Sequence, residues 1–468
     1  MISGLKPYAE MKGSGVEWLG AVPAHWDARR LKALLTERGQ KGFPDEPLLT
    51  ATQSKGVVRK DQYENRTVLA MKDLHLLKLV CVGDFVISLR SFQGGIEFAR
   101  ERGIISPAYT VLYSKQPQTH AYLAWLFKSA PFIQGLSLFV TGIRQGQNID
   151  YEKLSRTKVP LPPADEQTAI VRFLDHADRR IRRAIAAKQK LIRLLEEQKR
   201  AIIHHAVTRG LDPDVRLKPS GIEWLGDVPE HWEVNQVRSI AQVVRGSSPR
   251  PAGSPLYFHG DAMPWITVGE VTRARGKYVT ETSTCLTAAG AEHSRLIEPG
   301  TFLLTNSGAT LGIPKISGIQ GCINDGVAAL LKVRSRVRKE FLLYYFTTQT
   351  VHLKAWVDLG AQPNLNTQII GGWPVPIPTI EEQVEIVSHI ERGTESLAEL
   401  AEKARSEILA FREYRTRLIA DVVTGKFDVR GASAGLPAMI EPEDCEFDAD
   451  AENEVESMEE VAAEDQAA

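Results

Sequence analysis

His204 and His205 stand side by side, Gly276-Lys277 and Gly425-Lys426 each put a flexible residue before a cation, and four cysteines (Cys81, Cys285, Cys322 and Cys445) are scattered along the chain. Each of these residue types can do chemistry when its spacing is right. Adjacent histidines on a helix point about 100° apart, which makes them a poor metal pair. A phosphate-cradling loop needs an earlier glycine and a Ser or Thr after the lysine. Here Tyr278 and Phe427 follow the two lysines. The cysteines show neither CxxC spacing nor a histidine cluster at metal distance, so they read as reduced cytosolic thiols. No GxGxxG follows a strand-like run. No Asn/Asp-Pro-Pro-aromatic segment is present to hold a base for methyl transfer, and no paired-acid nuclease pattern sits on convincing strands. The chain reads as a binding protein whose chemistry belongs to partners.

Charge points to what it binds. The net charge is -1, from 57 Lys and Arg against 58 Asp and Glu. Residues 436–468 hold 13 of the acids and no Lys or Arg; outside them 57 basic residues face 45 acidic ones. A basic body suits a nucleic-acid partner, because phosphate neutralisation dominates such affinity. The acidic tail is poor in aromatics and is expected to be disordered. It could screen the basic body or merely aid solubility. No window approaches a membrane span, and no secretory leader is legible at the N-terminus.

An internal repeat gives the organisation. Ser14-Gly-Val-Glu-Trp-Leu-Gly-Ala-Val-Pro-Ala-His-Trp26 recurs as Ser220-Gly-Ile-Glu-Trp-Leu-Gly-Asp-Val-Pro-Glu-His-Trp232, with ten of thirteen positions identical. Repeats of this kind fix the architecture before any local reading does. A second pair lies further along: Val159-Pro-Leu-Pro-Pro-Ala-Asp-Glu-Gln167 and Val375-Pro-Ile-Pro-Thr-Ile-Glu-Glu-Gln383. In each, prolines close an extended segment and acids open a helix, where they suit the macrodipole. His25 and His231 lie in the repeat and are expected to pack or cap there.

The helices opened in this way are long. Apolar or small residues recur at Ile170, Leu174, Ala177, Ile181, Ala184, Leu191, Leu195 and Ile202. They recur again at Val387, Ile390, Leu397, Ala401, Ala404, Ile408, Phe411, Leu418 and Val422. This three-and-four spacing is the seam of a coiled coil. Each run covers about 40 residues, or about 60 Å. Lys188 and Arg415 fall on the seam. Gly210 with Pro213 ends the first helix and Gly425 the second. Two similar helices in one chain most simply pair antiparallel, with a globular domain at either end; the alternative is that each packs on its own domain.

Between these elements lie segments rich in β-branched and aromatic residues. Strands are expected at 76–82, 85–89, 265–268, 302–305 and 327–333, and short helices at 122–127 and 341–346. The fold class is therefore α+β: two mixed α/β domains separated by two long antiparallel coiled-coil helices, in an internal pseudo-twofold repeat. The boundaries read 1–163 for the first domain, 164–212 for the central helix, 213–379 for the second domain, 380–426 for the C-terminal helix and 427–468 for the acidic tail.

The repeated Glu-Trp-Leu-Gly-x-Val-Pro-x-His-Trp resembles the opening of target-recognition domains in type I restriction–modification specificity subunits. The Val-Pro-x-Pro-x-x-x-Glu-Gln helix start resembles the exit of the same domain. Arg245-Gly-Ser-Ser-Pro249 with Met263-Pro-Trp-Ile-Thr-Val268 looks like that family's opening pattern. Asn306-Ser-Gly-Ala-Thr-Leu-Gly312, Asn324-Asp325, the stretch from Gly83 to Gly95, and Ser106-Pro-Ala-Tyr-Thr110 fit family members too. The first domain lacks the Gly-Ser-Pro-type opening. The resemblance covers residues 10–430.

Shared flanks with unlike centres suit two readers of different half-sites on one scaffold. Base readout needs Arg, Lys, Asn, Gln and Ser/Thr on loops at a groove surface. The first domain offers Arg90, Ser91, Gln93, Arg100, Arg102, Arg144, Gln145, Gln147 and Asn148. The second offers Ser247, Ser248, Arg250, Arg273, Arg275, Lys277, Asn306, Ser307, Thr310, Gln362, Asn364 and Asn366. The resemblance implies a non-catalytic, cytoplasmic subunit that binds no cofactor or metal itself and reads a bipartite double-stranded DNA site. It implies two methyltransferase subunits that use S-adenosylmethionine, and ATP- and Mg2+-dependent restriction and translocase subunits, as partners. The helices would set the gap between half-sites.

Overall fold

The computed structural model describes residues 5–53, 55–62, 73–89, 91–141, 148–358 and 364–437. The expected tail therefore lies outside the described residues beyond Pro437. The chain divides into two compact units, residues 1–189 with 405–468, and residues 190–404. The division passes through both long helices instead of at their ends, because each helix gives residues to the apolar cores of both units.

In the first unit the sheet runs Leu35–Glu37, Thr110–Ser114, Phe85–Ile87, Glu97–Phe98, all antiparallel. Phe85, Val86 and Ile87 are all buried, so this short run has no polar face. A hairpin of Leu49–Thr52 with Gly56–Arg59 and a pair of Lys78–Val80 with Gly103–Ile105 lie beside it. Helices His120–Phe127 and Ala130–Leu136 cover the core with Tyr122, Leu123, Leu126, Phe127 and Phe132.

The second unit is built on a larger sheet. Its order is Gln242–Arg245, Val327–Leu331, Phe302–Thr305, Pro314–Ser317, Tyr278–Val279. A second sheet joins Cys285–Leu286, Phe258–Ile266, Gly321–Ile323 and Arg295–Ile297. Helix Lys339–Asp358 packs Phe341, Leu342, Tyr345, Phe346 and Leu353 into the core. The strands and helices expected from sequence are present: those at 76–82, 85–89 and 327–333 are shorter, the strand expected at 265–268 is the end of Phe258–Ile266, and the helix expected at 341–346 is the start of a 20-residue one. Both units are mixed helix and strand.

The repeat is the frame of each unit. Asp27–Arg30 pairs antiparallel with Lys158–Leu161, and Glu233–Gln236 pairs with Pro374–Ile377 in the same register. The prolines sit in two-stranded ladders with a free edge, where a missing N–H costs little. The long helices Ala164–Arg209 and Ile380–Val423 come directly after, at 46 and 44 residues. Gly210 and Gly425 both take φ +76°, which is the left-handed helix stop expected of them.

Within the first unit the two helices run antiparallel. Arg415 pairs with Asp178 and, farther along the first helix and back along the second, Lys188 pairs with Glu407. The two cations read as seam residues are thus satisfied across the pair. Within the second unit Gly393 faces Ile202, and Ile203, Ala206 and Val207 share a core with Ile386 and Ile390. One seam position differs from expectation. Leu191 is exposed, and Ile203 is more deeply buried than Ile202. A strict seven-residue repeat drifts about 20° per heptad on an ordinary helix, so the buried face has turned by about one residue by the helix end.

Candidate nucleic-acid interface

A surface that reads DNA must hold its polar side chains still, and a buried tie fastens each unit to its helix. Glu166, in the first turn of the first long helix, has a side chain only 3% exposed. It accepts hydrogen bonds from Trp26 Nε1 at 2.8 Å and Tyr8 Oη at 3.0 Å. Its other oxygen lies 2.6 Å from His25 Nε2 and 3.2 Å from an Arg430 nitrogen. Burial, and then the Glu166 charge, push the Tyr8 hydroxyl pKa well up. Glu382 holds the equivalent place in the second unit, accepting from Trp232 Nε1 at 3.0 Å and lying 3.0 Å from His231 Nε2. Trp26 and Trp232 are fully buried. The neighbouring glutamines complete the tie: Gln167 Nε2 donates to Pro162 O, and Gln383 Nε2 donates to Pro378 O. The repeat's His-Trp and the helix's Glu-Gln were legible as two motifs; that they bond to one another was not.

In the second unit three loops meet. Gly246 must be glycine, because a Cβ there would lie 2.0 Å from Asn324 O. Ser247 Oγ donates to His293 O at 3.1 Å, and Ser294 Oγ donates to Ser247 O at 2.7 Å. Ser248 Oγ donates to Asp325. Arg245 Nε donates to Asp325 O at 2.6 Å, and Arg295 Nε donates to Arg245 O at 3.0 Å. Ser247 and Ser248 thus spend their hydroxyls on loop structure, while Arg245, Arg250 and Arg295 stay exposed beside them. Arg250 has a side chain 72% exposed and only a 3.9 Å approach to Asp325. Arg245 and Arg295 were not among the sequence candidates. Arg295 had no motif to mark it; Arg245 opens the Arg-Gly-Ser-Ser-Pro run.

Ser307 adjoins this cluster. Its hydroxyl lies 3.0 Å from where a Gly326 Cβ would stand, and its backbone bridges to exposed Asn364. Thr310 sits in the same loop, with its carbonyl bonded by Thr305 Oγ1 at 2.6 Å. Asn366 accepts from Ile369 N at 2.8 Å and caps helix Thr367–Gly372. Asn306 is 2% exposed, with its Oδ1 unpartnered among the described residues. It cannot reach a groove from there. Arg273, Arg275 and Lys277 lie before the opposite edge strand of the five-stranded sheet. Arg273 pairs with Glu270 at 2.8 Å, and Lys277 pairs with Glu391 on the second long helix. Lys277 therefore straps the domain to its helix; Arg275 is exposed.

In the first unit Ser91 is 1% exposed and its hydroxyl accepts from Ser88 N at 2.8 Å, so it too leaves the surface set. Gln93 is exposed on the same short helix, Ser91–Gly94. Lys128 holds that helix in place. Its ammonium donates to Gly94 O at 2.9 Å, to Gln53 O in the neighbouring hairpin at 3.0 Å, and to Glu97 Oε1 at 2.6 Å. Burial pushes the Glu97 carboxyl up to about 7 against the pull of Lys128. Gly95, at φ +85°, would place a Cβ 2.2 Å from Phe127 O, so it too must be glycine. Arg100 is exposed, and Arg102 pairs with Glu46 at 2.7 Å. Arg90, Arg144, Gln145, Gln147 and Gln362 lie outside the described residues, as does the side chain of Asn148.

Among the described residues there is no group of His, Cys, Asp and Glu placed to hold a metal ion, and no helix long and apolar enough to cross a membrane. Cys81, Cys285 and Cys322 are free thiols.

Comparison with known proteins agrees with this geometry. Residues 83–192 and 229–410 match the type I restriction modification DNA specificity domain. A Methanocaldococcus jannaschii protein, provisionally named the MjaX specificity subunit of a type I restriction enzyme, is 22% identical over 435 residues, covering 88% of this chain and 96% of that protein. The type I restriction enzyme MjaVIII specificity subunit of the same organism is 22% identical over 366 residues, covering 75% and 81%. A chain from a solved structure of the type I R-M system, described in terms of complex assembly and conformational transition, aligns with TM-score 0.65 at 17% identity, over 86% of this chain and 99% of that one. That alignment speaks for the fold.

Proposed function

The chain belongs to the type I restriction modification DNA specificity family, and on that premise we propose that it reads a bipartite double-stranded DNA target and hands it to partner subunits that methylate and cut. The observation that carries this reading is a shared frame bearing unlike surfaces. The same Trp–Glu tie closes both units. The loops it holds present Arg245, Arg250, Arg295, Ser307 and Asn364 in the second unit, but Gln93 and Arg100 in the first. Two readers of one sequence would have no reason to differ there.

In this reading each unit sets exposed Arg, Gln and Asn side chains against base edges in the major groove, where each base pair has its own donor and acceptor pattern. Arginine suits guanine, and glutamine or asparagine suits adenine. The chain itself performs no bond-breaking step and holds no cofactor. Two methyltransferase subunits with S-adenosylmethionine act on the target adenine once it is turned out of the stack, and a restriction and translocase subunit supplies ATP- and Mg2+-dependent cutting. The two long helices, antiparallel within the first unit, would act as the spacer between the half-sites and as the seat of the methyltransferase subunits.

The test is the methylome of a host carrying this chain with its partner subunits. A two-part motif with a fixed unspecified gap is the expected result. A protein-binding scaffold would instead leave no motif and would bind DNA without the steep salt dependence of a phosphate-contacting reader.

A further inference from the structure

An open cleft in the second unit, about 720 Å³ in volume, is lined by three cations and by no acid. Arg238 comes from the short helix Val237–Ile240, and Gln242 from the edge strand that follows it. Lys332 and Arg334 come from the turn that leaves strand Val327–Leu331, and Thr367 and Gln368 from the helix Thr367–Gly372. Arg238, Lys332 and Arg334 are exposed and have no acidic partner among the described residues. Their neighbours on the same turn, Arg336 and Arg338, pair with Glu233 and Glu340 and do not line the cleft. Lys332 also holds a left-handed backbone, φ +52°, which a side chain of its kind rarely adopts.

Two segments run from this cleft to the reading surface. Strand Gln242–Arg245 starts on the cleft wall and ends at Arg245, about 10 Å away. Exposed Asn364 stands three residues before Thr367. The same 10 Å is about three nucleotides of rise along one DNA strand. A duplex whose base edges meet Arg245, Arg250 and Arg295 brings phosphates a few nucleotides away to the cleft.

The first unit repeats two of the three cations. Lys32 is the second residue of helix Leu31–Leu34, as Arg238 is of Val237–Ile240. Lys115 N donates to Leu34 O at 2.8 Å, as Arg334 N donates to Ile240 O at 2.9 Å. Lys115 Nζ folds back to donate to Lys32 O at 3.0 Å, which sets the two lysines side by side. The reading loops differ between the units, and these frame positions do not. Contacts that must hold on any sequence belong on the shared frame, because phosphate contacts position a protein and base contacts specify its site.

We propose that Arg238, Lys332 and Arg334 seat backbone phosphates of double-stranded DNA in this cleft, and so fix the register of the second unit on the duplex without reading a base. The inference rests on the DNA-reading function proposed above.

The test is fluorescence anisotropy of the full chain on labelled duplexes of unrelated sequence, over a series of salt concentrations. R238Q/K332Q/R334Q should lower the slope of log affinity against log salt by about 2–3 on every duplex. R238K/R334K should keep the slope of the unaltered chain. Thermal melting checks that both variants fold. An unchanged slope in the glutamine variant overturns the proposal, and is the result that an acidic partner protein as occupant would give. A slope lost equally in the lysine variant also overturns it, since charge would then not be the cause. So does inorganic phosphate that displaces DNA better than chloride at equal ionic strength, which would make the occupant a free anion. The methylome of a host carrying the glutamine variant with its partner subunits should show the motif of the unaltered chain; a changed motif would mean that the cleft reads bases. If the unaltered chain bound DNA without salt dependence, the DNA-reading function itself would fall, and the proposal with it.

Discussion

Glu166 and Glu382 do the same work from the same place in two helices, yet removing them should not cost the same. Glu166 has a side chain 3% exposed and serves Trp26 and Tyr8; Glu382 is 23% exposed and serves only Trp232 from the aromatic set. Glu166→Leu strands two buried donors, at a cost of about 3 kcal/mol, and Glu382→Leu strands one at a wetter site. Thermal melting should show the larger drop for Glu166→Leu; equal drops would mean that the tie contributes through packing alone. Glu97 sets a pH dependence. Its carboxyl is raised from 4.5 to about 7, with burial the leading cause. A raised carboxyl is neutral in the fold while the unfolded chain ionises, so its contribution is full below pH 4.5 and lost as pH rises to about 7. Glu97→Gln should leave stability unchanged near pH 4 and raise it near pH 8, by about 3 kcal/mol. A difference independent of pH would show that Glu97 is ionised throughout. On the reading surface, Arg250→Ala with Arg295→Ala should relax one half of the target and leave the other intact, at about 1–3 kcal/mol per lost base contact.

At the scale of elements, the helix ends are sharply placed. Gly210 and Gly425 share φ +76°, but a Cβ at Gly425 would lie 2.4 Å from Pro23 Cδ, whereas one at Gly210 meets nothing closer than Glu382 Oε1 at 3.2 Å. Gly210→Ala should cost about 1 kcal/mol, for the left-handed backbone. Gly425→Ala should cost about 2–3 kcal/mol, because the proline ring cannot yield. Calorimetry of the two variants checks the order, and a larger loss at Gly210 would contradict it. These ends were legible because a glycine stop is a local signal. So were the helices, the two repeat motifs and the mixed α/β content, each of which rests on spacing. Burial was not. Ser91 and Asn306 have the right chemistry for base edges and sit inside, while Arg295 has no motif and sits outside. Residue type names what a side chain can bond to; only the fold decides what it meets. The bond between His-Trp and Glu-Gln joins positions about 140 and 150 residues apart, which no local pattern encodes.

Across the whole molecule, both long helices give residues to both compact units. If their length sets the gap between half-sites, a heptad added to each helix at matched positions should lengthen the gap by about 10 Å of rise, or about three base pairs. The half-sites should be unchanged. Methylome sequencing reads both at once: a constant gap would remove the spacer role, and altered half-sites would mean that the insertion had disturbed the frame.

The two-stranded ladders at the base of each unit also make its contents separable. Asp27 faces Leu161, and Glu233 faces Ile377. Everything between those partners leaves and returns through a doorway one strand-pair wide, about 5 Å across. A segment with its two ends so close can be exchanged whole, without moving the helices or the Trp–Glu tie that fasten it. New specificities would then arise by trading inserts that keep the partners of the frame, Trp125 for Asp175 in the first unit and Lys277 for Glu391 in the second.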